Sequence, residues 1–325
     1  MKTNLLRCIL SKLSIERVFA ISLVILEQLA TMFFIMLFGF MLVRIKILDM
    51  VGSQQIANMT TKFVIPIVLM MSFQQPYDPA QLSLLLFTFI GALLLMISRI
   101  ISARLLMRKG TKIDQFAVVF SNTAFVGIPI IFPLLGYQGI FYLSMYIVVS
   151  SVLQFTYGIW ILSEGKQAMT IRQAFLNPAS IGAFIGFVLY MLQIELPNVL
   201  YNGLDKIADT SSPLGMILLG GYLARSRLKE IFMVKNNYWT VMVRLLITPL
   251  IGLVIIWLLP IQNQSVLLVL SIANCTPTAV NTALFSQLYG GDYEYGARLV
   301  VLASLLAMVT MPIMITLSNL LLSIN

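Results

Sequence analysis

Residues Ile272 to Phe285 read IANCTPTAVNTALF. Pro277 stands between Thr276 and Thr278 in an otherwise apolar run, with Asn274 and Asn281 on either side. A helix that only had to cross a bilayer would carry neither a breaker nor a polar cluster. A second stretch, Ser121 to Ile131, repeats the oddity. It reads SNTAFVGIPII and holds Asn122, Thr123, Gly127 and Pro129. Pro129 and Pro277 stand 148 positions apart (277 − 129), and Pro66 and Pro213 stand 147 apart (213 − 66). Two proline pairs at nearly one offset point to two related halves.

The surrounding composition sets the class. The chain has 325 residues, 59% of them hydrophobic and only 10% charged. Soluble domains carry about 25% charged residues. Long apolar runs recur along the whole length, so the expected fold is an all-α polytopic membrane protein. Ten spans are read at roughly 25–43, 56–74, 81–106, 115–136, 138–162, 178–193, 198–224, 237–259, 265–290 and 294–321. A basic extension, 1–24, precedes two five-span halves, 25–162 and 163–325. Five is odd, so the second half enters the membrane inverted, an arrangement frequent among secondary transporters.

Charge placement excludes other classes. The net charge is +9, yet the basic residues gather at span ends, so no nucleic-acid partner is expected. Arg44 and Lys46 follow span one, and Arg104, Arg108, Lys109 and Lys112 follow span three. Lys166 and Arg172 follow span five; Arg225, Arg227, Lys229 and Lys235 follow span seven. Positive loops stay cytoplasmic, which predicts a multi-pass cell-membrane protein with both termini extracytoplasmic. The basic N-terminal extension runs against that rule. The chain has no histidine and two cysteines. Histidine catalysis and a disulfide framework are excluded, no metal or other cofactor is expected, and no enzyme constellation appears.

The two proline segments carry the functional reading. Proline removes a backbone donor and clashes with the preceding turn. Span four should therefore break near Gly127 and restart at Pro129. Span nine should restart with Thr276 as N-cap and Pro277 in the first turn. Broken backbone survives at membrane depth only when buried in protein or lining a wet cavity. Restarted half-helices present free N–H groups and partial positive charge, which favour an anion, most simply a carboxylate. Asn122, Thr123, Asn274, Thr276, Thr278 and Asn281 would add neutral hydrogen bonds. The preceding half-helix ends offer carbonyls, which would suit Na⁺. The plain alternative is a pair of ordinary proline kinks.

Several charges fall inside the spans. Lys62 and Asp209 each precede a paired proline by four residues and read as coupling or scaffold charges; snorkelling and a wet vestibule are the bland alternatives. Arg99 and Arg244 lie near basic span ends and are expected to snorkel. Arg298 should join Asp292 and Glu294 in a cluster at a span end. Cys275 reads as a small packing residue, and the methionines and phenylalanines as packing or lipid-facing.

The segments SNTAFVGIPII, NCTPTAVNTALFSQLYGGDYEYGARLVVLAS and MVTMPIMITL resemble the auxin efflux carrier family. The nearest likeness is to its bacterial, malate-permease-like members, relatives of the plant PIN transporters. The resemblance runs over roughly residues 25–321 and omits the basic extension. It implies ten helices in two inverted five-helix repeats, with helices four and nine broken and crossing at Pro129 and Pro277. It implies a scaffold of spans 1, 2, 6 and 7 and a moving transport domain of spans 3–5 and 8–10. It also implies elevator-type transport of an organic anion, often within a homodimer, with Asn122 as the strongest candidate ligand. Proton or Na⁺ coupling stays open. So do two other functions, a sodium-coupled carrier of a larger amphipathic anion and a non-transporting membrane sensor.

Overall fold

The computed structural model describes residues 2–166, 175–225, 228–233, 235–289 and 291–322; for 2–22, 228–230, 235 and 287 it gives the backbone alone. Arg172, Arg227 and the side chains of the basic N-terminal arm therefore lie outside the described residues. The described chain is helical, with no strand and one isolated β-bridge. In hydrocarbon every backbone group must find its partner within the segment, and helices achieve this.

The first helix, α1 (Lys2–Arg44), runs without a break from the basic arm into the first span. Next come α2 (Met50–Met59) and α3 (Ile65–Met71), then α4 (Pro79–Leu106) and α5 (Lys112–Val119). After a break come α6 (Ile128–Leu153) and α7 (Ile159–Leu162). Then follow α8 (Pro178–Met191), α9 (Asn198–Asp209), α10 (Ser211–Arg225), α11 (Leu228–Met233) and α12 (Lys235–Met242). The last four are α13 (Thr248–Leu258), α14 (Gln264–Cys275), α15 (Asn281–Leu288) and α16 (Tyr293–Leu322). Among the described residues, five stretches are long and apolar enough to cross a membrane: 23–44, 79–106, 123–162, 236–258 and 293–322. The longest of these turns at Gly136, whose φ of +59° suits only glycine comfortably. Two shorter apolar helices, α8 and α14, accompany them.

Side-chain caps mark several starts. Asp49, Asp78, Asn177 and Asn263 each accept a first-turn N–H, and Thr111 with Asp114 closes a capping box on α5. Prolines shape the interiors. Three single-turn π segments, at Thr60–Val64, Thr123–Gly127 and Val243–Ile247, each end two residues before a proline, namely Pro66, Pro129 and Pro249. At each, the residue before the proline donates five residues back, as Ile128 N–H does to the Thr123 carbonyl. The widened turn makes room where proline has no N–H to give.

Three expectations are corrected here. The seventh span is not one helix over 198–224 but α9 and α10. Pro213 lacks the N–H that would bond the Asp209 carbonyl four residues back, so α9 ends there and Pro213 falls in the first turn of α10. The break in span four lies at Phe120–Asn122, ahead of Gly127, because the π turn absorbs Pro129. Thr276 closes α14 instead of opening the next helix, which starts at Asn281.

Packing follows two groupings. One joins α1 to α10 and α3 to α8, with α9 against α3; the other joins α6 to α4 and α14, and α16 to α14 and α15. Small residues allow the first group to approach closely. A Cβ on Gly220 would fall 2.0 Å from the Met36 carbonyl oxygen, and one on Gly182 would fall 2.3 Å from that of Pro66. Phe116, Phe120, Phe141, Tyr142 and Tyr146 fill the second group and are fully buried.

Candidate functional site

The two breaks meet. Ser121 and Thr278 form an antiparallel bridge. Asn122 N–H donates to the Pro277 carbonyl at 2.8 Å, and Ala279 N–H donates to that of Phe120 at 3.0 Å. Backbone freed by one break thus satisfies backbone freed by the other, which answers the cost of unwinding at this depth. Thr123 and Thr276 share a hydroxyl hydrogen bond at 3.1 Å, and Thr278 Oγ1 donates to the Ala117 carbonyl. A Cβ on Gly127 would stand 3.1 Å from Thr123 Cγ2 and 3.6 Å from Thr276 Cγ2. Gly127 therefore keeps the crossing tight.

Two arginines sit at the crossing, and both are fully buried. Neither snorkels as expected, because each finds carbonyls left unpaired by the breaks. Arg99 donates to the Asn274 carbonyl at 2.9 Å, to Asn274 Oδ1 at 3.2 Å, to Ser121 Oγ at 3.2 Å and to the Tyr146 hydroxyl. Arg244 donates to the Thr276 carbonyl through Nη2 at 2.5 Å and Nε at 3.2 Å, and to the Val118 carbonyl at 3.2 Å. Charge-assisted bonds of this kind offset part of the desolvation cost. Among the described residues neither arginine has a carboxylate partner; the ion pairs there are those of Arg298 with Asp292 and Glu294.

Beside the crossing lies a cavity of about 90 Å³. Its polar lining comprises Thr61, Ser121, Asn122, Thr123, Ser150, Ser151, Gln154, Asn177 and Asn281; among the described residues no charged side chain lines it. Asn122 is 4% exposed, and its Nδ2 has no hydrogen-bond partner. A buried, unpaired amide donor costs free energy until a ligand accepts from it. Thr123, Ala124 and Phe125, which open the π turn ahead of α6, also line the cavity. The first N–H groups of a helix have no intrahelical acceptor. At the other start the donors are more engaged: Thr282 and Ala283 N–H bond to the Ala279 and Val280 carbonyls. Asn281 Nδ2 donates to Gln154 Oε1 at 2.7 Å. The cavity is thus neutral in its walls, holds an unpaired amide donor, and has the Arg99 guanidinium behind it through Ser121.

This arrangement suits transport across a membrane. The family model described as membrane transport protein matches residues 24–315. The chain belongs to that family. It is the auxin efflux carrier family that the motifs resemble. No curated protein matches the chain at a significant level. As a member, this membrane transport protein is a multi-pass transporter, and the family's members are transporters and not enzymes.

The transporter brings together only part of the expected set. Asn122, Thr123 and Asn281 line the cavity. Asn274 does not: its Oδ1 accepts from Arg99 and its Nδ2 donates to the Pro249 carbonyl at 2.9 Å. Thr276, Thr278, Gly127, Pro129 and Pro277 are buried and build the crossing instead of the wall. Lys62 and Asp209 are exposed and form no ion pair among the described residues. Cys275 is buried beside the break, as expected of a packing residue. Sequence reasoning missed Gln154, Asn177, Thr61 and both arginines. The 145-residue separation of Arg99 and Arg244 (244 − 99), close to the proline offsets, was an available signal.

Proposed function

We propose that this transporter is a secondary carrier of a small organic anion, such as a carboxylate, across the cytoplasmic membrane. The observation that carries the reading is the buried, unpartnered Asn122 amide, which lines a neutral cavity with Arg99 behind it through Ser121. A carboxylate accepts from such donors and gains from the positive field. A cation there would find no carboxylate among the described lining residues and would be repelled by the buried Arg99 guanidinium.

The proposed architecture is ten spans in two inverted halves, 25–162 and 163–325. The packing of α1 with α10 and of α3 with α8 supports a scaffold of spans 1, 2, 6 and 7. The cavity lies between that group, through Thr61 and Asn177, and the broken helices, through Asn122 and Asn281. A site at such a boundary changes its access when one group slides past the other, which favours an elevator movement. A homodimer built on the scaffold and extracytoplasmic termini complete the proposal.

The test is uptake of labelled malate, lactate and related acids into liposomes holding the purified protein. Saturable uptake that falls with Asn122→Ala supports the reading. Uptake equal to that of empty liposomes for every acid tried removes it.

A further inference from the structure

The carbonyl ends of the two broken helices are where a carrier of this architecture would hold a coupling cation. Unwound carbonyls and half-helix C-termini carry partial negative charge, and Na⁺ binds at such places in membrane carriers. Here four of those oxygens accept from arginine. The Val118 carbonyl, near the end of α5, accepts from Arg244, as does that of Thr276, which closes α14. The Asn274 carbonyl accepts from Arg99, and so does that of Ala273, at 3.4 Å. Asn274 Oδ1, the nearest side-chain oxygen, is also held by Arg99.

The two guanidiniums come from matching places. Arg99 stands in α4 and Arg244 in the π turn before α13, at a separation close to that of the paired prolines. Each half of the chain thus contributes one arginine to the crossing. Both are fully buried, without a carboxylate partner among the described residues, and Arg99 Nε makes no hydrogen bond. A buried charge left short of partners is costly to stability.

We infer that Arg99 and Arg244 are built-in cations that occupy the coupling-ion position, so that anion binding and transport proceed without sodium. This rests on the anion-carrier reading above. The fixed charges supply what a bound Na⁺ would supply, namely neutralised helix ends and a positive field at the cavity. Arg99 transmits that field through Ser121 Oγ, which shares a 2.8 Å hydrogen bond with Thr123 Oγ1 in the cavity wall. Each guanidinium is tethered to its helix and cannot leave as a bound ion does. The site therefore never has to load or release an ion before it returns empty.

The experiment measures two things on the purified full-length protein: labelled carboxylate uptake into liposomes, and melting temperature without substrate. Both are run with Na⁺, K⁺ or choline as the sole metal or organic cation. The expected uptake stays within about twofold across the three, and melting shows no saturable rise specific to Na⁺; twofold corresponds to well under 1 kcal/mol. A loss of about tenfold on removing Na⁺, or a melting rise that saturates with Na⁺ and is absent with choline, overturns the inference. If no acid is taken up in any salt, the carrier reading fails, and the melting series alone still decides the cation question. A second arm compares Arg99→Gln with Arg99→Lys. Loss of the charge should raise the KM for uptake by about 10- to 100-fold, and lysine should recover part of it. Equal KM in wild type, Gln and Lys variants overturns the role of the charge. Where the glutamine variant does not fold, the wild-type salt series alone upholds or overturns the inference.

Discussion

Asn122 separates binding from stability more cleanly than any other residue of the site. Its Nδ2 is buried and has no hydrogen-bond partner. Truncation to alanine removes an unsatisfied donor, so the fold loses little and the melting temperature should hold or rise. A hydrogen bond to a charged ligand contributes about 1.5–3 kcal/mol, so Asn122→Ala should weaken carboxylate binding by about 10- to 100-fold. Calorimetric titration beside thermal melting checks both halves; a large drop in melting with unchanged affinity would make Asn122 structural. Asn122, Thr123 and Asn281 were legible in the sequence because polar residues beside a proline stand out against an apolar run. Gln154 was not, because nothing local marks which face of a span its amide points to. Arg99 and Arg244 were misread for a related reason. Their carbonyl partners reach as far as 175 residues along the chain, and nearness to a basic span end says nothing about them.

At the scale of elements, the breaks depend on a few small or donor-less residues. Pro277 ends α14 and keeps it from joining α15 across Thr276–Val280. With Pro277→Ala, an N–H returns and the obstacle to a continuous helix goes. The Pro277 carbonyl would then turn away from Asn122 N–H, and the crossing would loosen. Uptake should fall by at least about tenfold, equivalent to 1.4 kcal/mol, while the protein still extracts as a folded species; full uptake would show that the break does not need proline. Gly252 guards the same element from behind. A Cβ there would sit 2.4 Å from the Asn274 amide nitrogen, closer than real contacts allow. Gly252→Val should displace Asn274, unseat its bonds to Arg99 and the Pro249 carbonyl, and lower melting by an amount typical of overpacking, about 1–3 kcal/mol. An unchanged melting curve would show that the amide has room to move. The positions of these breaks were only half legible. The prolines announced them, but the π turn ahead of Pro129 moved the opening to Phe120–Asn122, and the bridge of Ser121 with Thr278 fixed where it lies. Each such π turn ends two residues before a proline, but the proline alone does not say whether the chain widens or breaks there, and the split at Pro213 depended on the Asp209 carbonyl rather than on hydropathy.

For the whole molecule, the question is whether the broken-helix group slides against the group built from α1, α3, α8 and α10. Several contacts tie the two outside the cavity, among them the packing of α1 on α16 and the hydrogen bonds of Tyr190 on α8 with the backbone of Asp78 at the start of α4; one more reaches from α6 to α9. The Tyr137 hydroxyl, just past the turn at Gly136, hydrogen-bonds to Asp205 on α9, and α9 packs on α3. In a sliding carrier this contact belongs to one end of the stroke and must part at the other. Cysteines at both positions, in a chain with Cys8 and Cys275 replaced, allow the contact to be held by a short thiol-reactive bridge. Bridging should stop labelled-acid uptake, and a cleavable bridge should restore it on reduction, whereas each single cysteine treated alike should keep its uptake. Tyr137→Phe removes the bond without a bridge, and it should shift the balance between end states and not abolish transport, because one hydrogen bond is worth about 0.5–1.5 kcal/mol. Continued uptake by the bridged protein would mean that the two groups stay fixed. Access to the cavity would then have to change by movement of the half-helices alone, within a crossing that the two arginines already clamp.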